Sequence, residues 1–399
     1  MSSNVEDIVA SLNAIGPDAH GNSNEAARQQ VLDAARRLVN RTQNPWERAW
    51  ELAIAGPSVF SATQVLLDLG VFEGWAKNGG RESSLDELLT LCNAKCETNL
   101  LRRLLRILAS FNVIEETGED QWKATDFSLE LGKPDGPIAL TILSGTHHAI
   151  PAGENLPGYL AKTSYREPLD PNKGNYADFD DQGLDFFARC QADPRYQASF
   201  INGIMVGIAT QKVDWTEVYD TKSLVDGFSS SDGGVCVVDT GGAHGIDIMR
   251  MLARHPELPQ GALVLQDLPD VVAMAKIDSK IETMPYNFFT PQPVQGSRAY
   301  FMHAVLHDWT DPEAKIILGN LAPAMKKGHS KLLIYEVVIP PTGASPLQTT
   351  VDIGLMTLLS AAERTEAMWR QLIESCGLKV VKIWTNPLAM ESVIEAELA

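Results

Sequence analysis

The sequence predicts an α/β chain: a mostly parallel, doubly wound sheet in the C-terminal half, preceded by a smaller helical unit that ends in a hairpin. Three observations predict it. From Ser223 onward, short apolar runs alternate with helical stretches. A glycine-rich turn, Gly241 to Gly245, follows the first of those runs. Between Pro45 and Asp126, leucines at helical spacing give way to two short runs around a Thr-Gly-Glu-Asp turn. A length of 399 residues suits two or three domains.

In chain order, residues 1–45 read as a polar, alanine-rich arm with one helix, Asn24 to Asn40, after a Gly/Asn/Ser break. Such an arm frays or packs on a partner chain. Residues 46–130 read as a domain. Ser84-x-x-Glu87 is a capping box that opens a helix over Leu85–Leu91. Leu100, Leu101, Leu104, Leu105 and Leu108 recur at helical spacing, and Val113–Glu116 with Gln121–Thr125 form the hairpin. Helices followed by a hairpin make a winged-helix pattern, for which DNA binding is one reading. Lys95, Arg102, Arg103 and Arg106 are nearly balanced by Asp86, Glu87 and Glu97, whereas duplex binding needs a strongly basic face. Packing or dimerisation is the better expectation.

Residues 131–222 are helical but irregular, with Pro/Gly/Asn/Asp clusters near 151–183. His147-His148, Asp185-Phe186-Phe187 and Tyr196-x-x-x-Phe200 stand out. Singly, each reads as core or loop filler; together they suit an apolar pocket. Residues 223–399 carry the predicted sheet. Its strands are Val235–Asp239, Ala262–Gln266, Ala299–Met302, Lys331–Glu336 and Lys379–Trp384, with helices over Asp247–Arg254, Asp311–Met325 and Glu366–Cys376. Ligands of such sheets bind beyond the carboxyl ends of the strands.

Composition narrows the partners. Lys and Arg number 33 against 51 Asp and Glu, a net charge of −18, which repels phosphate backbones and argues against nucleic acid. The five cysteines (Cys92, Cys96, Cys190, Cys236, Cys376) are odd in number and scattered, as in a reducing compartment. Cys92-x-x-x-Cys96 has no second ligand pair nearby, so no metal is expected. The opening MSSNVEDIVASLNAIG lacks a leader pattern, and no apolar run reaches the roughly 18 residues of a membrane span. A soluble, cytoplasmic protein without a membrane partner is expected.

The first strand runs Val237-Val238-Asp239-Thr240 into Gly241-Gly242-Ala243-His244-Gly245. Glycines let the backbone turn tightly and approach a ligand. The second strand ends Leu265-Gln266-Asp267, which puts an acid 22 residues past Gly245, placed to accept from ribose hydroxyls. A nucleoside-type ligand follows, either a nicotinamide dinucleotide or S-adenosylmethionine. Asp239 breaks the tie, because a carboxylate there suits a cationic amino-acid moiety and repels a pyrophosphate. His307-Asp308-Trp309 follows the third strand, and an imidazole there is suited to general-base work. Glu336 ends the next strand, and Glu363 lies further on. A carboxylate touching the ring N–H fixes its tautomer.

Val-Val-Asp-Thr-Gly-Gly-x-x-Gly, Leu265-Gln-Asp-Leu-Pro269, Asn287-Phe-Phe-Thr-Pro-Gln-Pro-Val294, Leu306-His-Asp-Trp309 and Glu363-Arg-Thr-Glu366 together resemble the S-adenosylmethionine-dependent O-methyltransferases, in their fungal secondary-metabolite branch. The resemblance runs from about residue 46 to the C-terminus. It implies a winged-helix-like dimerisation domain, a Rossmann-like catalytic domain and a homodimer. It implies that Asp239, Gly241 and Gly242 hold the methionine part of the donor, that Asp267 holds its ribose, and that Asn287 and Phe288 flank its adenine, with His303 nearby. His307 matches the family's base, and Glu336 and Glu363 match its flanking carboxylates. Met356 matches a position that confines the acceptor ring; His147, His148, Phe187, Met205 and Asp308 complete the expected pocket.

Three positions depart from the pattern: Ala243 for a third glycine, Asn287 for an aspartate, and His303 for a Lys or Arg. The resemblance implies methylation of a phenolic or enolic hydroxyl on a small aromatic, polyketide or alkaloid metabolite. The alternative is a pericyclase on the same fold, because some fungal relatives use the bound donor only as a cation.

Overall fold

The computed structural model describes residues 5–15, 25–211, 213–228 and 234–399. The chain divides into two compact units, Met1–Lys133 and Pro134–Ala399.

In the first unit, the expected arm helix spans Glu25–Thr42. The helix Leu85–Leu91 opens on its reciprocal capping box, the Glu87 amide donating to Ser84 Oγ at 3.3 Å and the Ser84 amide to Glu87 Oε2 at 2.8 Å. The helix Thr98–Ser110 turns Leu101, Leu105 and Leu108 into the core and leaves Leu100 exposed. A hairpin of β2 (Ile114–Gly118) and β3 (Gln121–Ala124) is extended by the short β1 (Ser83–Ser84), in the order β1-β3-β2. Arg102 grips Asp120 in the hairpin turn with Nε and Nη2, each bond 2.8 Å, so this cation ties helix to hairpin.

The second unit is built on a seven-stranded sheet of β4 (Val237–Thr240), β5 (Leu263–Asp267), β6 (Ile281–Pro285), β7 (Ala299–His303), β8 (Lys331–Glu336), β11 (Leu378–Trp384) and β12 (Ser392–Leu398), in the order β11-β12-β8-β7-β4-β5-β6. Pairing is parallel from β8 through β6 and antiparallel at β12 and β11. Alternate residues feed opposite faces: Val238, Tyr300, Leu332 and Ile334 enter one core, and Val237, Phe301, Leu333 and Tyr335 the other. Two buried faces explain why these strands read as unbroken apolar runs. The order reverses between β4 and β7, and a doubly wound sheet opens its ligand crevice at such a reversal.

Three details differ from the sequence expectation. The helix starting at Asp311 ends at Leu321 and tightens to a 3-10 turn over Ala322–Ala324, because Pro323 lacks the amide to continue it. Edge strand β6 was not expected; it exposes Glu282 and Thr283 and ends in Pro285, so it carries little apolar signal. Nor was β12, whose Glu- and Ala-rich run favours helix locally while its burial between β11 and β8 makes it a strand.

Two further features position the site. β9 (Val338–Ile339) pairs in parallel with β10 (Arg364–Thr365), which brings Glu363 and Arg364 back beside the end of β8. The helix Pro346–Leu359 packs Leu355 and Leu359 against Tyr176, Phe186 and Cys190 of the preceding helical region. Asn175 Nδ2 fastens that region by donating to the carbonyls of Ala152 and Thr357 at 2.8 and 3.0 Å. Among the described residues no single helix is long and apolar enough to cross a membrane.

Candidate active site

The carboxyl ends of β4, β5, β7 and β8 carry Asp239, Asp267, His303 and Glu336 side by side. Gly241 leaves β4 at φ +76° and Gly245 enters the helix Ile246–Arg254 at φ +77°. A Cβ on Gly242 would meet the Asp239 carboxylate at 2.4 Å and Leu265 Cδ1 at 2.6 Å, so only glycine fits. Ala243 adopts φ +48°, a left-handed conformation that is strained for alanine. Its amide donates to Asp267 Oδ2 at 2.9 Å while the Leu268 amide donates to Oδ1 at 2.7 Å.

Asp239 is 1 % exposed, and neither carboxylate oxygen has a hydrogen-bond partner of normal geometry. Burial, then the charge of Asp247, pushes its carboxyl well above the usual range; His303 opposes this and Asp267 adds to it. Burial also raises the Asp267 carboxyl, against the Leu268 and Ala243 amides. An orphaned buried carboxylate under a glycine turn, with a second acid at the next strand end, fits the ammonium and ribose of S-adenosylmethionine. Phe288 lies beside the turn, 3.6 Å from where a Gly241 Cβ would stand. Asn287 is exposed and its Oδ1 accepts from the Phe289 amide at 3.0 Å.

His307 sits in a short 3-10 turn, Leu306–Asp308, after β7. Its Nδ1 lies 2.9 Å from Glu363 Oε1 and 3.4 Å from Glu336 Oε2, and its Nε2 lies 3.5 Å from Asp308 Oδ1. Glu336 Oε1 accepts the Val305 and Leu306 amides at 3.0 and 2.9 Å, so one carboxylate both shapes the loop and faces the ring. Both glutamate side chains are fully buried. Burial opposes charge on the imidazole, but Glu336, Asp308 and Glu363 outweigh it and push the His307 pKa up to about 10. Burial lifts the Asp308 carboxyl to about 6 against the pull of His307, and it raises Glu336 in the same way. His307 Nδ1 and an oxygen from each glutamate lie within 4.8 Å of one another, a spacing that serves a shared proton and that a small cation could also use.

Arg364 and Asp247 are the residues that sequence reasoning missed. Arg364 donates to the Leu306 and Trp309 carbonyls at 2.8 and 2.7 Å and to Asp311 at 2.9 Å, closing the His307 loop from below. Its place directly after Glu363 was the available signal. Asp247, in the first turn after Gly245, takes His303 Nδ1 on Oδ2 at 2.6 Å. His303 is therefore engaged by carboxylates, with Glu391 3.3 Å from its Nε2.

Of the expected pocket residues, Asp308 borders His307. Phe187 stacks on Trp309 at 6.2 Å between centroids, and Phe288 and Phe289 meet the edges of the same indole. His147 and His148 cluster with Tyr176 and Tyr196, and Phe186 links His148 to Phe187. His148 is buried, its Nδ1 2.7 Å from Tyr176 Oη, and burial lowers its pKa to about 4, so it is neutral. His147 lines a cavity of about 220 Å³ with Tyr176, Phe179, Arg189 and Tyr196. Met205 ends the π-turn Ser199–Met205 and Met356 lies in the helix Pro346–Leu359; both are half-buried.

An O-methyltransferase domain family matches residues 179–379. O-methyltransferase ATR12 of Stachybotrys chlorohalonatus is 44% identical over 399 residues, all of both chains. Demethylsterigmatocystin 6-O-methyltransferase of Aspergillus parasiticus is 30% identical over 368 residues, 92% of each chain. Among solved structures, LepI in complex with SAM is 25% identical, covers 99% of this chain and 100% of its own, and superposes with a TM-score of 0.88. OxaC in complex with sinefungin and meleagrin is likewise 25% identical, covers 99% and 98%, and gives 0.81.

Proposed function

The chain belongs to the S-adenosylmethionine-dependent O-methyltransferase family with its Rossmann-like fold, and on that premise we propose that it methylates a phenolic or enolic hydroxyl of a small secondary metabolite with His307 as general base. The observation that carries this reading is the contact of His307 Nδ1 with Glu363 and Glu336, one strand end away from the Asp239–Gly242 turn.

Hydrogen on Nδ1 donated to Glu363 leaves the Nε2 lone pair for the substrate proton. An ordinary imidazole near 6.5 is about 5 kcal/mol too weak to deprotonate a phenol of pKa about 10. The flanking carboxylates stabilise the imidazolium and bring the base up to the acid it must deprotonate, so the proton leaves as the oxygen attacks. S-adenosylmethionine, when bound, supplies an electrophilic sulfonium methyl. Asp239 and the Gly241-Gly242 turn would hold its methionine end, Asp267 its ribose and Phe288 its adenine. Phe187 and Trp309 offer flat apolar walls for an aromatic acceptor, and holding it in near-attack geometry adds about 7–11 kcal/mol in favourable cases.

A second reading keeps the donor bound as a cation and catalyses a pericyclic or dehydrative step. The full-length likeness to a solved pericyclic reaction enzyme, 26% identical with a TM-score of 0.88, and a His307 poised to carry a proton favour it. Product mass separates the two. With methyl-labelled donor and a panel of phenolic polyketides and alkaloids, transfer adds one labelled methyl and releases one S-adenosylhomocysteine per turnover. Conversion without mass gain selects the pericyclic reading.

We also propose that residues 46–130 form a winged-helix-like dimerisation domain. The exposed Trp46, Trp50 and Ile54, four residues apart along the helical run, and the exposed Leu52 support it, the two indoles stacking at 5.2 Å. A homodimer by light scattering, lost in Leu52→Glu, is the expected result; an unchanged mass rejects that surface.

A further inference from the structure

His303 stands at the end of β7 between two carboxylates, Nδ1 2.6 Å from Asp247 Oδ2 and Nε2 3.3 Å from Glu391 Oε2. An acceptor at each nitrogen is matched by an N–H donor on both only when the ring is the doubly protonated cation. Asp247 Oδ1 is taken by Arg250 Nη1 at 3.2 Å, and Arg250 is shared with Asp214 at 3.8 Å. Asp239 belongs to the same set: the charges that face it are Asp247 and His303, with Asp267 from β5. Asp239, Asp247 and Glu391 are all buried. Of the three buried carboxylates, Asp247 faces both His303 and Arg250 and Glu391 faces His303, while Asp214, Asp267 and Glu336 add negative charge around them; among the described residues Asp239 is the one of the three with neither oxygen hydrogen-bonded in normal geometry.

We propose that His303 is a positioning residue for the α-ammonium of the methyl donor: by neutralising Asp247 and Glu391 it leaves Asp239 as the carboxylate that the ammonium pairs with, and that pairing releases one proton from the set to solvent. The inference rests on the donor site proposed above.

The surplus of negative charge supplies the reason. A buried carboxylate without a counter-charge is costly, so in the donor-free protein the missing positive charge is a proton. Burial and the neighbouring Asp247 place that proton on Asp239, the group they raise well above the usual carboxylate range. On binding, the Asp239 O–H bond breaks and its proton passes to buffer. The ammonium N–H then donates to the same oxygen, and no other bond changes. A Lys or Arg at 303 would be a cation too; histidine meets the two carboxylates through the two nitrogens of one ring.

Calorimetric titration with S-adenosylhomocysteine, which carries the ammonium but no transferable methyl, tests this at pH 7 in phosphate and in Tris. The two buffers differ in ionisation enthalpy and so report protons released. Wild type is expected to release close to one proton per ligand. Asp239→Asn should bind at least about 10-fold more weakly with the release abolished. His303→Gln should weaken binding about 10-fold and change the proton count, because a second carboxylate loses its cation, whereas His303→Arg should restore both. Tight binding by wild type without proton release, or wild-type affinity and proton count in folded His303→Gln, overturns the proposal and leaves the donor site standing. Absence of any binding by wild type overturns the donor reading itself. Should His303→Gln fail to fold by circular dichroism, the counts for wild type and Asp239→Asn decide.

Discussion

Glu336 faces His307 Nδ1 with one carboxylate oxygen at 3.4 Å and accepts the two amides that precede that histidine with the other. The charge that raises the base and the bonds that aim it thus come from one side chain at the end of β8. Glu336→Gln keeps the shape but loses the charge. A 10-fold or greater fall in kcat, with S-adenosylhomocysteine affinity within about 3-fold of wild type, is the expected result. An equal loss of both would mean that Glu336 supports the donor site instead.

The pH profile follows from the same charges. His307 must be neutral to accept a proton, and in the free protein its pKa is pushed up to about 10. The turnover rate should therefore climb with pH through the neutral range toward an alkaline plateau. Removing a flanking negative charge destabilises the imidazolium and lowers that pKa, so in Glu363→Gln the rising limb should move to lower pH by about one unit or more, with a lower plateau. A limb that stays in place, or moves to higher pH, would contradict the assignment.

Arg364 gives the loop its floor. Arg364→Ala strips hydrogen bonds from the buried Leu306 carbonyl and the half-buried Trp309 carbonyl and should cost roughly 2–3 kcal/mol in urea unfolding. Arg364→Lys keeps the charge but not the three-way fork, and should retain most of the stability while losing about 10-fold in kcat. Identical activity in folded Arg364→Lys would mean that the loop needs only a charge.

Ala243 tests the strain at the glycine turn. Its φ of +48° is natural to glycine, so Ala243→Gly should raise the free energy of unfolding by about 1 kcal/mol. Gly242→Ala should do the reverse at the donor site, since its Cβ would press on Asp239 at 2.4 Å, and S-adenosylhomocysteine affinity should fall by at least 10-fold. Unchanged affinity in Gly242→Ala would mean that the turn does not border the donor.

Much of this was legible in the residues. The parallel strands announce themselves because burial on both faces demands unbroken apolar runs, and the capping boxes because their geometry is local. His307, Glu336 and Glu363 were legible as a set through strand-end position and motif, although 56 residues separate the first from the last. What stayed hidden depends on tertiary pairing. β12 carries a helix-like composition that only its two neighbours override. Asp247 and Glu391 look like ordinary surface acids until the fold closes them around His303. The His147-His148 pair, adjacent in sequence, diverges: His148 enters the core against Tyr176 while His147 borders the cavity.

The most direct measurement is the initial rate of S-adenosylhomocysteine release, with product mass, for wild type and His307→Asn on one acceptor found in the labelled-donor panel. Wild type should form one methylated product per S-adenosylhomocysteine, and folded His307→Asn should fall by about 10²-fold or more while still binding the donor. Equal rates in the two proteins, or product of unchanged mass from wild type, would contradict the account.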